Sequence, residues 1–84
     1  MNKLVVMNLP FDVTEHVLHE IFLQFGTISR IDLVKHQETG KSCGFAYITF
    51  YDEQNGKNAI DAMNGKEYNG RILNVDLSSF RDDV

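Results

Sequence analysis

The sequence predicts an α+β domain of the ferredoxin-like split βαβ kind, in the order βαββαβ, with a four-stranded antiparallel sheet carrying two helices on one face. Three observations carry that expectation. Two stretches repeat apolar residues at helical spacing, and short strand-like runs flank each of them. The 84 residues contain a single cysteine, so one small domain has to hold itself together by packing, without a disulfide. Finally, 43% apolar and 24% charged residues is the balance of an ordinary globular chain. A chain this short buries only about 60% of its unfolded surface, which leaves function to an exposed face rather than a deep cleft. With both helices on one side, the other side of the sheet is the open surface.

The first strand is read over residues 3 to 8: Leu4-Val5-Val6-Met7 is apolar with β-branched residues at its centre, and Asn8-Leu9-Pro10 ends it, because proline cannot donate to a sheet. Val17, Leu18, Ile21, Phe22 and Phe25 then fall on one side of a helix. Thr14 stands at its N-cap, Glu15 at the positive end of its dipole, Val13 and Leu18 at the ends of a hydrophobic staple, and Gly26 at its stop. Residues 28 to 34 alternate as a second strand, with Ile31 and Leu33 on one side and Arg30, Asp32 and Val34 on the other. A polar loop, 36 to 42, leads to a third strand, Cys43 to Phe50. Gly44, Ala46, Ile48 and Phe50 face one way there, the glycine and alanine small enough to admit a helix, and Cys43, Phe45, Tyr47 and Thr49 face the other. Asp52 caps a second helix with Ala59, Ile60 and Met63 inward and Gly56 at a point of close packing. Asn64-Gly65 ends it, Tyr68-Asn69-Gly70 turns the chain, and Ile72 to Leu77 forms the last strand with Leu73 and Val75 inward. A structured core of 3–77 and a polar tail, 78–84, make one domain of 1–84, with Phe11 and Tyr68 at the edge of the core.

A formal charge of −4 argues against holding nucleic acid mainly by charge. The longest apolar run near the N-terminus, Leu4 to Met7, falls far short of a signal core or a membrane span, so neither export nor a membrane partner is expected. What stands out is Phe45 and Tyr47, two residues apart and therefore on one side of a strand whose other side is committed to the core. Large rings on an open face call for a partner. Flat rings at sheet spacing take the faces of unstacked bases, each stack contributing about 1–3 kcal/mol, and the same rings also anchor protein contacts.

Cys43-Gly44-Phe45-Ala46-Tyr47-Ile48-Thr49-Phe50 resembles the RNP octamer of the RNA recognition motif family, and Leu4-Val5-Val6-Met7-Asn8-Leu9 resembles its RNP hexamer. The likeness spans almost the whole chain, through Asn8-Leu9-Pro10, Thr14-Glu15, Phe25-Gly26, Ala59-Ile60, Asn64-Gly65 and Gly70-Arg71. It implies that Phe45 and Tyr47 are ring-stacking sites for single-stranded RNA and that the chain is a ribonucleoprotein component without catalytic function or cofactor. Two positions depart from the pattern: Val5 falls on the hexamer's usual aromatic site, and Cys43 stands where an arginine or lysine usually meets a phosphate. Base-edge contacts are then expected from Met7, Asn74 and Asp76, and backbone contacts from Lys3, Arg30, Lys35 and Lys41, with Arg81 and Phe80 as further candidates in the tail. The family's place in eukaryotic nuclei implies a nuclear setting and messenger RNA processing, with the cytoplasm as the other location. The alternative is a docking module for other ribonucleoprotein subunits; the helix-side peptide-binding variant of this fold carries an Arg-x-Phe signature, where this chain has Arg71-Ile72-Leu73.

Other chemistries find less support. His16 and His19 are three apart on a helix but lack a third metal ligand. Gly40-Lys41-Ser42 mimics the end of a phosphate loop without its first glycine or a following helix. Cys43 reads as a space-filler, and no nucleophile is matched to a base, so no catalytic or metal-binding residue is expected.

Overall fold

Alternation along Lys3–Met7 sends Leu4 and Val6 fully inside and turns Val5 and Met7 the other way, and this strand, β1, is the hub of the sheet. It pairs antiparallel with β3 (Ser42–Phe50) on one side and β6 (Asn74–Leu77) on the other. The second strand, β2 (Ile28–Lys35), pairs with the far side of β3, so the sheet order is β2-β3-β1-β6. The structure is a computed structural model in which residues 3–78 are described.

Helix α1 (Glu15–Phe22) begins where the Thr14 hydroxyl accepts from the Val17 N–H at 3.3 Å, and it tightens into a 3₁₀ turn over Leu23–Phe25. Helix α2 (Glu53–Met63) begins where the Asp52 carboxylate accepts from the Gln54 N–H at 2.9 Å. Leu18 and Phe22 from α1 and Ala59 and Met63 from α2 close over Ala46, Ile48 and Phe50 of β3, forming one core between the helices and the sheet. Gly56 is buried on α2.

Two irregularities in the β2–β3 ladder set which side chains face the helices. Ile28 pairs with Phe50 and Arg30 with Thr49, so β2 carries one extra residue there. That bulge lets Ile28 and Ile31, three apart, both pack against the core. At the other end Leu33 pairs with Ala46 and Lys35 with Ser42, leaving two extra residues on β3 around Gly44. Gly44 sits at φ +94°, its N–H donates to the Ser42 hydroxyl at 2.9 Å, and its carbonyl accepts from the Leu9 N–H at 2.8 Å. A Cβ on Gly44 would meet only the Leu9 carbonyl, at an ordinary 3.6 Å, so this glycine serves the bulge's backbone conformation and not the approach of a helix.

The last strand differs from expectation. Arg71–Ile72 (β5) pairs with Glu67–Tyr68 (β4) in a separate hairpin across the Asn69-Gly70 turn, and only β6 joins the main sheet. Leu73 lies between them because its backbone is engaged by Gly65 and Lys66, at 2.8 Å each, so the chain redirects before it reaches β1. Leu73 and Val75 are both buried. The outer edge of β6 is partly occupied by Asn64, whose side-chain oxygen accepts from the Val75 N–H at 3.0 Å. Residue 8, expected to close β1, turns out of it at φ +69°. Ser78, expected to open the tail, is buried and continues the pairing by donating its N–H to the Lys3 carbonyl at 2.9 Å. The remainder of the tail, with Phe80 and Arg81, lies outside the described residues. Tyr68 packs against the core as expected, whereas Phe11 is 62% exposed.

Candidate functional site

Register lays out the open face in three rows. Lys3, Thr49 and Arg30 form the first; Asp76, Val5, Tyr47 and Asp32 the second; Asn74, Met7 and Phe45 the third. Directly paired residues stand about 4.5–5.5 Å apart, so each row is a line of touching side chains. Eight of the residues expected to form the site, Val5, Met7, Phe45, Tyr47, Asn74, Asp76, Lys3 and Arg30, are therefore brought together on one surface opposite the helices.

Phe45 and Tyr47 are half-buried, their ring centroids 6.0 Å apart and their planes at 89°. This is an edge-to-face pair rather than two parallel shelves, an arrangement in which the positive edge of one ring meets the negative face of the other. Met7, beside Phe45, is 41% exposed. Val5 separates Tyr47 from Asp76 and adds apolar surface without a flat face.

The cations are engaged within the protein. Lys3 is only 6% exposed, and its ammonium lies 5.1 Å from the centroid of the Tyr47 ring. Arg30 Nε lies 3.0 Å and 2.9 Å from the two carboxylate oxygens of Asp32, its neighbour on the same side of β2. Lys35 and Lys41, expected to meet phosphates from either side of the loop between β2 and β3, stand off the three rows. Lys35 alternates with Leu33 on the helix-facing side of β2, opposite buried Ser42, and reaches Glu15 at 3.0 Å. The hydrogen bond from Lys35 holds the Glu15 carboxyl below its usual range. Lys41 lies with its ammonium 5.2 Å from the centroid of the Phe11 ring, off the three rows.

One feature at the margin of this face was not legible in the pattern. Arg71 Nε donates to the Asn8 carbonyl at 3.0 Å and its Nη2 to the Asn8 side-chain oxygen at 2.7 Å, while the Asn8 amide donates to the Ile72 carbonyl at 2.8 Å. The left-handed turn after β1 is thereby tied to the small hairpin. The local hint was an asparagine before Leu-Pro, a residue that tolerates positive φ, but a contact across 63 positions leaves no trace in spacing.

Cys43 is half-buried and lines, with Lys35, His36, Gln37, Glu38 and Thr39, an open depression of about 590 Å³ under the β2–β3 loop. Neither Phe45 nor Tyr47 lines it. His16 pairs with Glu20 at 2.8 Å, and among the described residues no group of three potential ligands is placed to hold a metal. No described helix is long and apolar enough to cross a membrane.

The site can thus offer ring faces, an apolar saddle and carboxylate or amide acceptors, with its positive charge already partnered. The chain as a whole is similar to known proteins. The model of the RNA recognition motif family matches residues 4–74. A component of eukaryotic translation initiation factor 3 from Scheffersomyces stipitis is 42% identical over 82 residues, 96% of this chain and 30% of that protein, so the chain spans less than a third of this curated relative. Among solved structures, Sex-lethal RNA recognition domains 1 and 2 from Drosophila melanogaster superpose with a TM-score of 0.90 at 29% identity, covering 99% of this chain and 52% of that one. The Rna15 RRM with bound RNA (GU) superposes with a TM-score of 0.88 at 26% identity, covering 96% and 86%.

Proposed function

The chain belongs to the RNA recognition motif family, and on that footing we propose that its open sheet face binds a short stretch of single-stranded RNA with bases stacked against Phe45 and Tyr47. It is a binding module and not an enzyme. The observation that carries the proposal is the ring pair, 6.0 Å apart on the side of β3 turned away from the helices. Two stacks contribute roughly 2–6 kcal/mol, and base-edge hydrogen bonds from Asn74 and Asp76 bring a micromolar complex, about −8 kcal/mol, within reach. A base arriving at Tyr47 meets the Lys3 ammonium, which then exchanges the ring for a phosphate. Two or three phosphate contacts correspond to a log-log salt slope of about −1.4 to −2.1.

The engagement of Arg30 by Asp32 and of Lys35 by Glu15 favours a second reading, in which the domain docks to other ribonucleoprotein subunits and holds RNA weakly. Translation initiation, the work named for the relative from S. stipitis, joins nuclear messenger RNA processing as a proposed setting, to be separated by cell fractionation. The test of the RNA reading is a titration with pools of short RNAs, followed by amide and aromatic chemical shifts. Shifts at Val5, Phe45 and Tyr47, with affinity lost in the double variant Phe45→Ala, Tyr47→Ala, uphold it. Silence toward every RNA, or a salt slope steeper than about −4, sinks it.

A further inference from the structure

The central row of the open face, Asp76, Val5, Tyr47, Asp32, ends in a carboxylate on each side. The two carboxylates are not equivalent. Asp32 has both oxygens within 3.0 Å of the Arg30 guanidinium, so its charge and its acceptor sites are largely taken. Asp76 is exposed, and Oδ1 accepts from the Leu77 N–H at 2.8 Å, which orients the group. Among the described residues no cation pairs with Asp76, and Oδ2 remains as an acceptor.

Between Tyr47 and Asp76 stands only Val5. Adjacent strands lie about 4.8 Å apart, so the ring and the carboxylate rise from backbones about 10 Å apart across β1. A base stacked on Tyr47 with its edge directed over Val5 covers most of that span and meets Asp76. A larger ring at position 5 would fill the path; valine leaves it passable. The negative charge of Asp76 turns phosphates away from the β6 side, which orients the nucleotide with its base edge toward β6 and its backbone toward Lys3 and β2.

We infer that Asp76 is a specificity-determining residue that selects, at the Tyr47 position, bases bearing an exocyclic amino group and disfavours uracil. An ionised carboxylate accepts hydrogen bonds and donates none. Cytosine N4, adenine N6 and guanine N2 each offer it an amino donor, whereas uracil sets two carbonyl oxygens beside its one N–H. The inference rests on the RNA reading above and adds the chemical class of nucleotide.

The test compares hexameric oligocytidine, oligoadenosine and oligouridine by fluorescence anisotropy, on the whole 84-residue chain and on its Asp76→Asn variant. Asparagine keeps the side-chain oxygen that accepts from Leu77, so folding is preserved, but its amide both donates and accepts and therefore serves uracil as well. The expected result is a preference of on the order of tenfold for cytidine or adenosine over uridine, falling below about threefold in the variant. The ratio is the readout, because loss of a charge that merely repelled phosphates would tighten all three strands equally. Equal affinities in the wild type, or a preference that survives Asp76→Asn, overturns the inference while leaving the RNA reading standing. Failure of all three strands to bind overturns that reading and this inference with it.

Discussion

Strand β3 presents two kinds of apolar side chain to two different environments. Ala46, Ile48 and Phe50 have no exposed surface beneath the helices, while Phe45 and Tyr47, alternating with them, are half-buried on the other side. Hydrophobicity alone does not separate the sets. Coverage does: the helices contribute Leu18, Phe22, Ala59 and Met63 to one side, and the other is bordered by charged groups that satisfy one another, Arg30 with Asp32 and Lys3 with the Tyr47 ring. An uncovered aromatic face can remain compatible with water when charges surround it, and charges so employed are less available to phosphates. In the proposed RNA reading, recognition accordingly rests on stacking and base edges more than on neutralising a backbone.

This contrast can be broken most forcefully at its buried end. Phe50→Ala removes a fully buried ring and should cost about 3–5 kcal/mol of folding stability, measured by urea unfolding, with little change in RNA affinity per folded molecule. On the open side the pattern reverses. Phe45→Ala and Tyr47→Ala should each weaken RNA binding by about 1–3 kcal/mol while costing folding only about 1 kcal/mol, the order of an edge-to-face contact. If either ring variant unfolded as readily as Phe50→Ala, the two sides of β3 would not differ in the way described.

Smaller effects sharpen the picture at its margins. Arg71→Ala should lower stability by about 1 kcal/mol and speed amide exchange around Asn8, because it removes the bonds joining the end of β1 to the hairpin. The smallest effect is expected at the half-exposed Glu15–Lys35 pair, below about 0.5 kcal/mol. Since Lys35 holds the Glu15 carboxyl below its usual range, the contribution is present above the ordinary glutamate pKa and disappears as pH falls through the lowered folded value. The unfolding midpoint of Glu15→Gln should thus fall below that of the wild type at pH 7 and converge on it once acid has protonated the Glu15 carboxyl.

Much of the fold was legible in local pattern. Thr14 and Asp52 cap the helices from the positions their side chains suggested, and alternation from Ala46 to Phe50 assigned the buried side of β3. The misreadings had two sources, a pairing that overrode the pattern and an alternation not followed to its end. Ile72 has the character of a strand continuing to Leu77, yet it pairs with Glu67, because Leu73 is held by Gly65 and Lys66. Lys35 looked like one more cation beside the loop, but the alternation that runs from Ile31 through Leu33 puts it on the side facing α1, where Glu15 engages it.

Composition and periodicity determined the order of the elements, the core residues and the pair of rings, since these depend on which side chains prefer burial and on strand and helix repeats that any short segment carries within itself. Tertiary structure alone decided which charges meet: that Arg30 serves Asp32, Lys35 serves Glu15, Lys3 covers Tyr47 and Asp76 keeps an oxygen to spare. Electrostatic partnership depends on distances between segments remote in sequence, and those distances exist only after strands have chosen their register and their bulges.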